Sequence, residues 1–280
     1  MSLPFRFQDE GGPGALRRLR ARRSRVGEKA TNVSYPWILV ALVALAIGCG
    51  DRESGPEAST GRLFQVGTLQ ALLEGDYTGY WSYAEVEPMG DVGLGTFEGI
   101  NGELVVADGG YWHVYPDGSV REVDPSERTP FAQVTSFVPS MSGTVPGPLD
   151  CGSTLDTFLS RQAGYGEDIL YVATVTGQFS SITTRAIDKQ EPPYEPLADL
   201  IPTQHEFPMS NVTGTMVLVH TPSSLGMLSP AGFHYHFVTS DRQRGGHVLS
   251  CTVEEARAAY QEMTGIDVEF PPPVYASSPR

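Results

Sequence analysis

Residues 231–251 read AGFHYHFVTSDRQRGGHVLSC, and this stretch contains three of the chain's six histidines. Its first part alternates imidazoles with aromatic rings, which is the period of an extended strand with successive side chains on opposite faces. His234 and His236 therefore share one face of a predicted strand. The polar segment Asp241–Gly246 ends in two glycines and predicts a turn. We therefore expect His247 to return beside His236 on the next strand.

Three imidazoles on one sheet face form a candidate metal site. Catalytic zinc is typically held by three protein ligands, often histidines, and keeps a fourth position open for water or substrate. The predicted ligands here are His234, His236 and His247. The alternative is a half-exposed strand face whose histidines are ordinary polar residues and bind nothing.

Outward from this stretch, the chain favours sheet over helix. Its 31 glycines and 22 prolines separate short apolar runs rich in Val, Thr, Tyr and Phe, as in strands divided by turns. Strands are predicted over 95–100, 102–109, 110–116, 119–124, 132–139, 214–222, 232–240 and 246–251, with two more about Gly177 within 169–187. Helices are predicted over 68–74, 154–163 and 252–265. We expect an α+β fold of two mixed β-sheet halves with flanking helices.

A proline-rich segment, residues 190–202, is predicted to divide the folded domain. The domain itself is expected to span residues 62–280, which is long enough to bury a sizeable core. Its halves are then about residues 62–190 and 203–280.

The N-terminal region predicts export. Basic residues precede an apolar run from Trp37 to Gly48 that is short for a membrane span, so residues 1–48 are interpreted as a lipoprotein-type signal peptide. Ala46–Cys49 resembles a bacterial lipobox, which would place a lipid anchor on Cys49. Residues 49–61 are small and polar and predict a flexible tether. A plain anchor, a signal cleaved elsewhere, and a secreted or cytoplasmic location are the alternatives.

Charge argues against nucleic acid as a partner. Of the 19 basic and 33 acidic residues, eight and three lie in residues 1–48, so the remainder has a net charge of about −19. Such a surface repels nucleic acid and anionic lipid. The membrane is expected to be reached only through the lipid on Cys49.

Cys151 and Cys251 are the cysteines that remain once Cys49 is assigned to lipidation. Export would permit a disulfide between them. Two free, buried thiols are an equally consistent interpretation, because unpaired cysteine packs as a small hydrophobic residue.

Several long motifs give the chain its resemblance to a known family. They are, in order, VGTLQALLEGDYTG, GDVGLGTFEGINGELVVADG, TPFAQVTSF, GQFSSITTRAIDKQEPPYEPL and GFHYHF followed by GGHVL. In this order they resemble the α-acetolactate decarboxylases from about Leu63 to Leu249. An acetolactate-decarboxylase-like fold is therefore expected.

The resemblance also implies a set of site residues. The family's zinc ligands fall on the three histidines already singled out. Its active-site glutamate falls on Glu103 in the Gly-Glu-Leu motif, the threonine of Gly-Thr-Phe on Thr96, and its arginine on Arg185. We expect Glu103 and Arg185 to come from the first half and the metal site from the second. A solvent-facing carboxylate, an ordinary strand residue and a surface charge are the respective alternatives.

The activity implied by the resemblance is decarboxylation of (S)-2-acetolactate, a small keto acid, to acetoin and carbon dioxide by a zinc-dependent carboxy-lyase. A homodimer is also implied. One feature departs from the family, whose C-terminal Leu-Pro-Glu type segment brings a glutamate to the metal. Here residues 268–280 read VEFPPPVYASSPR, with proline at 271 and 272 where that acid is expected. The departure puts turnover in doubt.

Three other functions are compatible with these residues. The first two are an exported metal-binding relative that acts on another β-keto acid and a relative that is catalytically inactive. The third is zinc-dependent hydration or hydrolysis, for which zinc held by three histidines would suffice. That chemistry does not require Glu103 and Arg185, so the motifs that contain them argue against it.

Overall fold

The computed structural model describes residues 61–271. Its strands are β1 Arg62–Val66, β2 Trp81–Ser82, β3 Val92–Thr96, β4 Glu103–Ala107, β5 Gly110–Val114, β6 Val120–Glu122, β7 Arg128–Thr129, β8 Ala132–Thr135, β9 Met141–Asp150, β10 Tyr171–Ala186, β11 His205–Thr221, β12 Gly232–Thr239, β13 Gly245–Glu262 and β14 Gly265–Glu269. Its α-helices are α1 Leu69–Leu73, α2 Tyr83–Val86, α3 Thr154–Ala163 and α4 Leu197–Leu200. Single 3₁₀ turns occupy Glu87–Met89, Glu98–Ile100, Ile201–Thr203 and Ser223–Leu225.

In this part of the chain no helix has both the length and the apolar character needed to cross a membrane. The predicted signal peptide, Cys49 and the tether up to residue 60 lie outside the described residues.

The first sheet has seven strands in the order β14-β1-β8-β3-β4-β5-β6. It is mixed, because β14 runs parallel to β1 while the other neighbours are antiparallel. A turn at Asp117-Gly118 connects β5 to β6, and Gly118 adopts the positive φ that such a turn requires. The predicted α+β class is confirmed.

The second sheet has the order β10-β11-β12-β13-β9, and β10 also pairs with β13. Four of its strands therefore close into a ring. Its pairings are antiparallel, whereas the sequence predicted mixed sheets in both halves. From β10 to β13 each strand is followed in the chain by its neighbour in the sheet, for which the antiparallel direction is the short route.

The two sheets pack on each other through aliphatic side chains. The shared core contains Leu63, Val92, Leu94, Val105 and Val114 from the first sheet and Val172, Val217, Val219 and Val238 from the second. The other face of the second sheet packs under α3 with the alternate residues, Tyr171, Leu218, Tyr235, Phe237 and Tyr260 among them. The period of two in β12 therefore turns its histidines toward the first sheet and its aromatic rings toward α3.

The helix predicted over 252–265 is wrong. This segment continues β13, which pairs with β10 on one side and β9 on the other. Residues such as Glu254, Ala256 and Arg257 favour a helix in isolation. Two strand partners override that preference, and Ala256, Ala258 and Tyr260 are buried with a period of two.

Gly177 does not divide its segment into two strands, because β10 runs without a break from Tyr171 to Ala186. A Cβ atom at Gly177 would lie 2.2 Å from the Glu255 carbonyl oxygen. Glycine is therefore needed here for the close approach of β13 and not for a turn.

The predicted boundary between halves at residues 190–202 is also wrong. Strands β9 and β10 precede that segment but belong to the second sheet, and β14 at the end of the domain belongs to the first. Composition marked a surface connection, but only strand pairing decides sheet membership. The helices predicted near 68–74 and at 154–163 are confirmed as α1 and α3.

A disulfide joins Cys151, just after β9, to Cys251 in β13. Of the two interpretations left open by the sequence, the structure contains the bridge. The cysteines are 100 residues apart in the chain, so the bond closes a long loop and restricts the unfolded state strongly.

Replacing both cysteines by serine should lower the free energy of unfolding by about 2–5 kcal/mol, because the unfolded chain regains the entropy of that loop. Denaturant titration in non-reducing buffer measures this change. Reductant should move the wild-type midpoint toward that of the double variant and leave the variant's own midpoint in place. A wild-type midpoint that is insensitive to reductant would contradict the prediction.

Candidate metal centre

Three histidines converge on the face of the second sheet that points to the first. His234 and His236 lie on β12, and His247 lies on β13 directly opposite His236. His234 Nε2 is 3.1 Å from His247 Nδ1, which is 3.3 Å from His236 Nε2. One nitrogen from each ring lies within 4.8 Å of the others, so the three can bind a single metal ion.

The hydrogen bond that His236 makes on the side away from the other histidines determines which of its nitrogens can bind a metal. Its Nδ1 donates to the Leu104 carbonyl oxygen over 2.7 Å, which leaves the Nε2 lone pair directed at the cluster. His234 Nδ1 is buried and has no hydrogen-bond partner among residues 61–271. Because no hydrogen bond at Nδ1 fixes the orientation of this ring, a metal bound at Nε2 would fix it.

Burial keeps all three imidazoles neutral. It lowers the pKa of His234 to about 3, with a further contribution from the charge of Arg185. Burial also lowers the pKa of His236 and of His247 well below the usual value. Neutral imidazole is the form that coordinates a metal, so the residues present fit a zinc ion held by three histidines.

Glu103 and Arg185 form an ion pair beside the histidines. Arg185 Nη1 donates to Glu103 Oε1 over 2.5 Å, and Glu103 Oε2 is 3.5 Å from His236 Nε2. Their side chains are only 6% and 13% exposed for Glu103 and Arg185 respectively. The interpretations of these residues as solvent-facing charges are therefore wrong.

The two charged residues come from different sheets. Glu103 begins β4 in the first sheet, whereas Arg185 lies on β10 opposite His247. The expectation that the first half supplies both is wrong for Arg185, because β10 pairs with the strands of the second sheet.

Burial raises the pKa of Glu103 to about 7, although the charge of Arg185 acts in the opposite direction. A carboxyl group in this range can both take up and release a proton near neutral pH.

Thr96 lines the same cavity but directs its hydroxyl to the backbone. Its Oγ1 donates to the Gly102 carbonyl oxygen over 2.7 Å, and Thr96 pairs with Glu103 across β3 and β4. In this structure Thr96 holds the turn that leads into Glu103.

An apolar wall completes a cavity of about 110 Å³. Its members are Leu69, Leu72, Ile100, Phe131, Leu197 and Pro230. The volume is small compared with the roughly 300–1,000 Å³ of sites for drug-sized ligands, which favours a small ligand. Sequence reasoning did not identify these residues, because they come from short helices and loops without a common period.

Glu269 does not supply an acid to this site. It lies on β14, where its carboxylate accepts a hydrogen bond from Trp81 Nε1 over 3.1 Å, and it lines a separate groove. Residues 272–280 lie outside the described part of the chain and contain neither Asp nor Glu. Among residues 61–271, Glu103 is the acidic residue that lines the cavity.

Fold and site together define a protein that can hold a divalent metal beside a pocket for a small polar molecule. The family model for alpha-acetolactate decarboxylase matches residues 63–274. The chain belongs to this family.

Similar sequences and solved structures agree with this assignment. The alpha-acetolactate decarboxylase of Methanosarcina mazei is 36% identical over 209 residues, which cover 75% of this chain and 72% of the relative. That of Bacillus subtilis is 30% identical over 213 residues, covering 75% and 82%. The crystal structure of the B. subtilis strain 168 enzyme superimposes with a TM-score of 0.73 at 29% identity, over 76% of this chain and 90% of the other. A Staphylococcus aureus protein of unknown function, described as similar to alpha-acetolactate decarboxylase, gives 0.72 at 28% identity, over 75% and 89%.

Replacing His234, His236 or His247 by alanine removes one of the three proposed zinc ligands. Loss of a residue that only hydrogen-bonds a ligand lowers metal affinity by roughly 10- to 100-fold. Loss of a ligand itself should lower zinc affinity by more than that. Competition with a chromophoric chelator measures the affinity. His205→Ala is the matched control, since His205 lies on β11 and bonds Asp188 instead. Wild-type affinity in all three variants would rule out this metal site.

Proposed function

We propose that this protein decarboxylates (S)-2-acetolactate to acetoin and carbon dioxide, with zinc held by His234, His236 and His247. The observation that supports this most is the buried Arg185–Glu103 pair, whose carboxylate lies 3.5 Å from the histidine cluster inside a small cavity. A buried cation, a proton carrier and a metal site in one cavity are the groups that this reaction requires. Family membership supports the same activity.

Arg185 is proposed to orient the substrate. Its guanidinium presents five N–H donors, and Glu103 occupies one nitrogen. The remaining donors suit a carboxylate or another oxyanion, which a planar guanidinium binds in two-point fashion. The charge of Arg185 also offsets negative charge that accumulates on the substrate during the reaction.

Glu103 is proposed to carry the proton. Loss of carbon dioxide leaves an electron pair on the substrate's C2, which delocalises onto the neighbouring ketone oxygen. When bound, zinc supplies a Lewis acid that stabilises negative charge on oxygen. Protonated Glu103 then delivers a proton to C2 and becomes a carboxylate beside Arg185. The substrate anion and one proton thus give acetoin and carbon dioxide.

The apolar wall is proposed to face the substrate's two methyl groups and to exclude water from C2. Leu72, Ile100 and Phe131 are buried, so this end of the cavity offers no hydrogen bond to solvent. The polar groups of acetolactate then turn to the opposite end, where the histidines, Glu103 and Arg185 lie. Export is the feature that favours another β-keto acid as an alternative substrate.

A homodimer stays a prediction from the resemblance.

We also propose that the protein is an exported lipoprotein anchored through Cys49. The Cys151–Cys251 disulfide supports export, since such bonds persist in oxidising compartments and are rare in the cytosol.

Glu103→Gln should lower kcat for acetolactate by roughly 10²–10⁴-fold while zinc content stays at the wild-type level, because the amide fills the same space without carrying a proton. The measurement follows acetoin and carbon dioxide from the purified, zinc-loaded chain. Glu206→Gln, at an exposed position on β11, is the control. Wild-type turnover in Glu103→Gln would exclude the proton-carrier role. No acetoin from folded, zinc-loaded wild type would favour another substrate or an inactive relative.

Cys49→Ala should move the exported protein from the membrane fraction to the soluble fraction of bacterial cells, because it removes the residue that carries the lipid. Fractionation followed by immunoblotting measures the distribution, with Cys151→Ser as the control. An unchanged membrane fraction would contradict the lipid anchor.

A further inference from the structure

One side of the cavity wall is built from two segments that are not in either sheet. Helix α1 contributes Leu69 and Leu72, and the loop after β11 contributes Pro230. The two segments are joined because Leu69 N donates to Leu228 O over 2.9 Å and Gln70 N donates to Met227 O over 3.1 Å. These two hydrogen bonds join the two segments into one unit. The distance of this unit from the histidines must then be set by contacts with the rest of the protein.

A chain of buried polar side chains makes that connection. Thr221 Oγ1 donates to Ser229 Oγ over 3.0 Å, and Ser229 Oγ donates to Gln133 Oε1 over 3.3 Å. Gln133 Nε2 donates to Gln65 Oε1 over 2.8 Å. Gln65 Nε2 then donates to two carbonyl oxygens, Gly67 O at 2.9 Å and Leu228 O at 2.8 Å.

The position of this network is unusual for polar residues. The four side chains of Gln65, Gln133, Thr221 and Ser229 are each at most 1% exposed. Burying an amide or a hydroxyl is unfavourable unless its hydrogen bonds are made. An apolar side chain would fill the same space at lower cost. The network is better explained by the backbone atoms that it holds in place.

Those backbone atoms flank the wall on both sides. Gly67 immediately precedes Thr68, the N-cap of α1, and Leu228 lies in the loop that carries Pro230. The two glutamines face each other as a cross-strand pair of β1 and β8. Strand β8 also pairs with β3, whose neighbour β4 begins with Glu103. The network thus ties the wall to the sheet that positions the proton carrier.

We infer that Gln65, Gln133 and Ser229 are positioning residues that limit the size of the alkyl group that the cavity accepts on the keto acid. This inference rests on the proposed function. With the polar groups of the substrate directed to Arg185 and the histidines, Leu69, Leu72 and Pro230 limit on one side the space left for its alkyl groups. A wall held in a fixed position leaves room for a methyl group on the substrate but not for a longer alkyl group. A wall that can move distinguishes less between substrates with methyl and with longer groups.

The test compares 2-acetolactate with its homologue that carries ethyl in place of the 2-methyl group. Gln133→Met keeps the length of the side chain but removes both amide hydrogen bonds. The ratio of kcat/KM for the ethyl substrate to that for the methyl substrate should rise on the order of tenfold, a part of the discrimination that one methylene can provide. Ser229→Ala removes the bonds to Thr221 and Gln133 but leaves those of Gln65 to Gln133 and to Leu228 O in place. It should therefore raise the ratio less, and it guards against a misfolded Gln133→Met protein.

Tyr260→Phe is the matched control. It removes one hydrogen bond of a buried side chain, from Tyr260 Oη to Gln162 Oε1 at 2.6 Å, on the α3 side of the second sheet. It should lower stability without changing the substrate ratio. A ratio that stays at the wild-type value in both network variants, or that rises equally in Tyr260→Phe, would overturn the inference.

Amide hydrogen exchange at Leu69 and Gln70 gives a readout that does not depend on turnover. Exchange should be faster in Gln133→Met and unchanged in Tyr260→Phe. If the wild type decarboxylates neither substrate, the proposed function fails, and the exchange rates still decide whether the network holds the wall. Wild-type exchange in Gln133→Met would then overturn the positioning role as well.

Discussion

The hydrogen bond from His236 Nδ1 to the Leu104 carbonyl oxygen joins the two sheets where the site is built. It spans 132 positions in the chain and brings β12 of the second sheet against β4 of the first. On the β12 side it presents Nε2 to the histidine cluster, and on the β4 side the neighbouring residue is Glu103. A single contact therefore sets both which nitrogen of His236 carries the proton and the separation between this imidazole and the carboxylate. The aliphatic core between the sheets excludes the water that would otherwise compete for it.

Burial of charge is the second constraint on this site. Removing a carboxylate and a guanidinium from water is costly, and their attraction repays it only when the geometry is good. The direct contact of Glu103 with Arg185 meets that condition. Burial still dominates for Glu103, whose pKa is raised to about 7, while the same burial lowers the pKa values of the histidines. One buried cavity thus gives neutral imidazoles that can coordinate a metal and a carboxyl group whose pKa lies near neutrality.

Local pattern predicted those features that depend on neighbouring residues. The alternation in GFHYHF separated the histidine face from the aromatic face, and the glycine-rich turn returned His247 beside His236. Segments that pair with a strand on each side are harder to predict from local sequence. Residues 252–262 have helical propensity, but pairing with β9 and β10 outweighs it because each backbone group in a central strand is satisfied by a neighbour. Gly177 similarly predicts the end of a strand from sequence alone, whereas in the structure it permits two strands to approach closely.

The sequence by itself determined the three histidines, the candidate acid and arginine, the family and the α+β class, because these depend on residue type, order and a period of two. Tertiary structure alone decided that Arg185 belongs to the second sheet, that the site lies between the sheets, and that Leu69, Leu72 and Pro230 form one wall. It also brought Gln65, Gln133 and Ser229 into contact. These facts depend on pairings between residues far apart in the chain. The packing of both sheets together selects those pairings, so no local sequence pattern predicts them.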